Sequence, residues 1–92
     1  MADPPMADPM EVTRKRLLFR ANHRGMQETD RLLGGFADAN VGAMSAEQLD
    51  RFEALLEESD QDILTWVLEM EAIPEDIDTE LIDALIKYKR SL

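Results

Sequence analysis

From Glu11 to Tyr88 the apolar residues recur three and four positions apart and nowhere alternate for long, which predicts helices throughout and no strand. Val12, Arg16 and Phe19 fall at i, i+4 and i+7, with Leu17 and Leu18 widening the stripe, so a first helix is expected from Glu11 to about Ala21. Asn22 and His23 are placed to end it. A second helix is expected from about Gly25 to Val41, presenting Thr29, Leu32, Leu33 and Phe36 on one side, with Gly42 suited to a left-handed stop. Gly34 and Gly35 interrupt this segment. A glycine inside a helix costs about 1 kcal/mol relative to alanine, so either a neighbour packs closely there or the helix bends or breaks.

Ser45 and Gln48 have the spacing of a capping box, and Leu49, Phe52 and Leu56 follow at i, i+3 and i+7, giving a third helix. Ser59 or Asp60 can cap a fourth, in which Ile63, Trp66, Val67 and Met70 trace an i, i+3, i+4, i+7 stripe that favours a core place for Trp66 over an interface anchor. Pro74 closes that run. Asp76 or Asp78 can start a fifth helix, with Leu81, Ile82, Leu85 and Ile86 on its apolar side and Lys87, Lys89 and Arg90 near its negative end. Short links between such helices favour antiparallel neighbours, so the fold class is all-α: a compact bundle of five short helices in a single domain.

A chain of 92 residues has room for one modest core. Its net charge of -10 opposes general attraction to nucleic acid or an anionic membrane, which makes a protein the expected partner. Cysteine is absent, so stability must come from packing without disulfides. No apolar run approaches the roughly 20 residues that cross a bilayer. Met1 to Met10 contain three prolines and two aspartates without a base, the wrong chemistry for a signal or transit peptide. That stretch is expected to be a disordered lead to a domain over 11–92, and a cytoplasmic setting fits best. The charge is divided along the chain. Residues 1–44 hold six acids and six bases, whereas residues 45–92 hold fourteen acids and four bases, which predicts a dipolar molecule.

Enzyme chemistry finds little support. His23 is the lone histidine, and Ser45 and Ser59 are better explained as helix caps than as nucleophiles. Neither Asp60 to Asp62 nor Asp76 to Asp78 continues into a calcium loop, because the position that needs glycine holds Thr65 or Leu81. No metal site is expected.

Arg24-Gly25-Met26-Gln27-Glu28 is an RGxxE sequence, followed by Leu32-Leu33 and Phe36-Ala37. Together with Phe52, Leu55-Leu56, Ser59-Asp60, Asp62, Leu64 and Trp66, it resembles the succinate dehydrogenase assembly and flavinylation factors over about Val12 to Tyr88. The resemblance implies a non-enzymatic assembly factor that binds the flavoprotein subunit of succinate dehydrogenase, and in the family often that of fumarate reductase, and promotes covalent attachment of FAD to it. The FAD would belong to the partner, and this chain would need no cofactor. The resemblance also implies that Arg24, Gly25 and Glu28 lie at the contact surface. Arg20, one turn before Arg24, is placed to support that contact, and His23 is either a second contact or a solvated turn residue, the turn being favoured. At i and i+4, Arg24 and Glu28 can share one helix face, and a residue without a side chain lets foreign backbone approach. The bland alternative is that Arg24 and Glu28 pair with each other while Gly25 makes a turn. A monomer is expected when unbound. A rival from another class is the antitoxin half of a toxin-antitoxin pair, against which the charge of -10 weighs if DNA contact is required.

Overall fold

The computed structural model describes residues 9–92. Those residues form five α-helices and one 3-10 turn: α1 (Pro9–Asn22), α2 (Gln27–Asn40), the turn Val41–Ala43, α3 (Ala46–Leu56), α4 (Asp60–Val67) and α5 (Thr79–Arg90). The all-α reading holds, and no strand occurs among the described residues. Most of the lead expected to be disordered, residues 1–8, lies outside the described residues, while Pro9 and Met10 belong to the first turn of α1. Proline suits that place, since a first-turn N–H has no partner within the helix.

Three of the helix starts rest on side chains that the sequence marks. Ser45 and Gln48 close both halves of the capping box on α3. Ser59 rather than Asp60 caps α4 by accepting from the Asp62 N–H, and Asp78 rather than Asp76 caps α5 by accepting from Glu80 and Leu81. Replacing such a cap with alanine costs about 1 kcal/mol.

α1 lies against α2 and α3, and both α2 and α4 lie against α5. Leu17, Leu33, Phe52, Ile63 and Ile82 are completely buried at the centre, and Trp66 joins them at 6% exposure. The α1 stripe differs from expectation. Its buried residues are Leu17 and Ala21, whereas Val12 and Phe19 point to solvent. Ala21 stands one turn after both Leu17 and Leu18, and the three form the narrower inward face of a helix that packs on α2 and α3.

Two helix ends also differ. Gly42 has no left-handed backbone; α2 instead tightens into the 3-10 turn, which buries Val41. The α4 stripe stops at Val67, because Glu69 adopts a left-handed φ of 60° and turns Met70 outward. The Met70 N–H bonds the Thr65 carbonyl at 2.9 Å and the Glu69 N–H bonds the Trp66 carbonyl at 3.0 Å, the two bonds of a Schellman ending. Glutamate at a position that favours glycine hides this stop from the sequence.

Helix α2 passes through Gly34 and Gly35 without a break. Close packing is the reason. A methyl group on Gly34 would overlap the Asn22 side chain at the end of α1, and one on Gly35 would overlap the Tyr88 hydroxyl near the end of α5.

Candidate functional site

The turn between α1 and α2, residues 23–26, carries the RGxxE sequence. Because α2 begins only at Gln27, Arg24 is not part of that helix, and the shared helix face expected for Arg24 and Glu28 does not form. Gly25 has φ +107°, a backbone angle that L side chains rarely adopt, and no atom lies near the place where its Cβ would stand. The glycine is therefore required by the turn, and its open side faces solvent.

The Arg24 side chain is turned inward and is 11% exposed. Its Nε donates to Asp60 Oδ1 at 2.8 Å, Nη1 to the Leu56 carbonyl at 2.5 Å and Nη2 to the Glu58 carbonyl at 2.6 Å. Leu56 is the last residue of α3 and Asp60 the first of α4. The guanidinium thus satisfies a carbonyl left over at the negative end of one helix and another in the turn after it, and pairs with a carboxylate at the positive start of the next. Its planar fork of donors suits several acceptors at once. The backbone N–H of Arg24 donates in turn to Asp30 Oδ1, which reaches back from the first turn of α2. Met26, at the N-cap, supplies no side-chain bond, so Asp30 organises this helix entry. The pairing of Arg24 with Glu28 is replaced by the pairing with Asp60.

Glu28 is exposed, and its carboxylate makes no ion pair among the described residues. His23 is also exposed. Its Nδ1 lies 2.7 Å from the Phe19 carbonyl, and its ring stacks on Phe19 with centroids 4.0 Å apart. A carbonyl only accepts, so Nδ1 is the donor in this bond. Arg20 pairs with Glu57 at 2.7 Å and with Glu53 at 3.6 Å. Arg16 pairs with the same Glu53 at 2.8 Å, so Arg16, Arg20 and Arg24 form a ladder that stitches α1 and the following turn onto α3 and α4. Arg14 donates to the Val41 and Met44 carbonyls at 3.1 and 2.9 Å. The basic cluster of the first half is spent largely on acids and carbonyls of its own fold, which offsets the dipole expected from sequence.

Of the expected site residues, Gly25, Glu28 and His23 reach the surface, while Arg24 and Arg20 face the protein's own helices. Sequence reasoning missed Asp30, Asp60 and the exposed Phe19. Asp60 falls in the Ser59-Asp60 pair that carries part of the family resemblance, yet nothing in its spacing points to Arg24, 36 residues away.

A small helical protein that presents a glycine turn, with no helix long and apolar enough to cross a membrane among the described residues, is the class the fold defines. Residues 15–89 match the family described as flavinator of succinate dehydrogenase, and the chain belongs to that family. It is 40% identical over 83 residues to the FAD assembly factor SdhE of Acetobacter pasteurianus, covering 90% of this chain and 76% of that one. It is 40% identical over 73 residues to the mitochondrial succinate dehydrogenase assembly factor 2 of Dictyostelium discoideum, covering 79% of this chain and 52% of the relative. Over 86 residues it is 34% identical to the mitochondrial assembly factor 2-A of Drosophila yakuba, with 91% and 53% covered. The chain therefore spans about half the length of these mitochondrial relatives.

Proposed function

We propose that this chain binds the flavoprotein subunit of succinate dehydrogenase, and also that of fumarate reductase, and promotes covalent attachment of FAD to it without enzyme chemistry of its own. The observation that carries the reading is the solvent-facing turn at Gly25 and Glu28 in a chain of the flavinator family. Gly25, Glu28 and His23 make the direct contacts, while Arg24 and Arg20 hold the turn in position. The division is supported by the three bonds that tie Arg24 to α3 and α4 and by the free Glu28 carboxylate.

The proposed action is positioning. Held against the factor, the flavoprotein keeps its flavin and acceptor side chain aligned, and the bond forms between those two groups. A flavin-carrier role fits the chain poorly. The cleft beside Trp66, of about 420 Å³, is lined by Glu69, Glu71 and Asp83, and such walls repel a pyrophosphate. The antitoxin alternative draws support from none of the relatives named above. The chain acts as a cytoplasmic monomer until it meets its client.

The test is covalent flavin fluorescence of the denatured flavoprotein band after incubation with FAD and the factor. The Glu28→Ala variant should keep its helical circular dichroism and fail to raise that signal. Fluorescence equal to wild type would remove Glu28 from the contact. A band no brighter with the wild-type chain than without it would overturn the function itself.

A further inference from the structure

A second feature adjoins the turn. Between the start of α2, the end of α4 and the end of α5 lies a cleft of about 270 Å³, whose lining includes Glu28, Arg31, Leu32, Leu64, Leu68 and Lys89. Leu32 is its buried floor, Leu64 is half-buried, and Leu68 stands 47% exposed at its lip. The volume is below the range that holds drug-sized ligands, so the cleft suits one side chain of a partner rather than a flavin.

The charges around this cleft set it apart. Arg14, Arg16, Arg20, Arg24, Arg51 and Arg90 all bond to carboxylates or carbonyls of the chain itself. Arg31 alone among the arginines of the described residues makes no side-chain hydrogen bond or ion pair, and Lys89 across the cleft makes none either. An arginine left unpaired beside exposed leucines, in a chain of net charge -10, is a poor choice for the free protein. It becomes a good one when a carboxylate arrives with an apolar group, because the apolar floor excludes water from the pair while the rim directs encounter. Elsewhere the excess acid of residues 45–92 turns such a segment away.

We propose that this cleft is a second docking subsite, which takes an apolar side chain of the flavoprotein subunit flanked by a carboxylate, the carboxylate pairing with Arg31 and Lys89. The assignment rests on the flavoprotein reading above and extends the contact from Glu28 along α2. It explains why Glu28 carries no internal partner: its carboxylate shares the cleft's lip with Arg31 and bounds the place where the client's own acid can sit.

The experiment is calorimetric or interferometric titration of the full chain against the purified flavoprotein subunit. Arg31→Glu and Leu68→Asp should each weaken binding more than about tenfold, the scale of a central contact. Lys87→Glu changes the charge equally on an exposed position of α5 that does not line the cleft, and should cost under about threefold. Circular dichroism of all three should match wild type, since each residue is exposed. Wild-type affinity in Arg31→Glu and Leu68→Asp, with binding lost in Glu28→Ala, would overturn the subsite and leave the functional reading standing. An equal loss in Lys87→Glu and Arg31→Glu would also overturn it, by reducing the effect to general charge. If the wild-type chain does not bind the subunit, the functional reading fails and the subsite fails with it.

Discussion

Arg24 and Arg31 stand seven residues apart on either side of the entry to α2, and the fold uses them in opposite ways. Arg24 is turned inward against α3 and α4 with its donors engaged, whereas Arg31 is exposed and unpaired at a cleft. Around Arg24 the turn is built, and around Arg31 a surface is left open. The lesson concerns the RGxxE sequence, which looks like one unit on paper and divides in space: the arginine inward, the glycine and glutamate outward. A cation next to an exposed turn can serve that turn by holding the backbone from behind.

The sharpest way to break this comparison is to remove Arg24. Arg24→Ala leaves Asp60, 14% exposed, without its cation and the Leu56 and Glu58 carbonyls without this donor, so a loss of about 3 kcal/mol in urea unfolding is expected. Arg24→Lys should recover only part of it, because an ammonium cannot span the same acceptors with a planar fork. An unfolding midpoint equal to wild type in Arg24→Ala would show that the inward bonds hold nothing. Next in size is Gly35→Ala. Its methyl meets the stiff Tyr88 ring, and overpacking of this kind costs about 2 kcal/mol. Adding Tyr88→Phe, which deletes the overlapping hydroxyl, should return part of the loss in a double-mutant cycle. Gly34→Ala should cost less, since the Asn22 side chain can rotate and alanine favours a helix.

Smaller again is Gly25→Ala, where only the positive φ resists the substitution, at about 1 kcal/mol by the same denaturation assay. At the bottom of the scale Glu28→Ala should leave stability within about 0.5 kcal/mol, as expected for an exposed, unpaired side chain. A large loss of stability there would place Glu28 with Arg24 on the structural side and erase the contrast.

Much of the bundle was legible in the sequence because its signals are local. Ser45, Ser59 and Asp78 each act within three residues, and the periodic leucines of α3 and α5 face the core as their spacing implies. What was hidden depends on distant partners. The outward face of α1 could not be read, since Val12 and Phe19 have the same spacing as a core stripe and only the position of α2 and α3 decides which stripe is covered. The α4 stop was masked by a glutamate in a glycine's place. At the candidate site, the glycine turn and the exposed Glu28 were visible in outline. The inward turn of Arg24 was not, because it is dictated by carbonyls, which carry no sequence identity.

The bare backbone at Gly35 reaches further than its own contact. It works as a caliper: by admitting the Tyr88 ring, it sets how far α5 stands from α2. Lys89 follows Tyr88 along one jaw, and Arg31 and Leu32 lie one turn back on the other, so the gap between the cleft's two cations is gauged by an atom that is missing. A wedge of one carbon there would spread the jaws while every residue lining the cleft stayed the same.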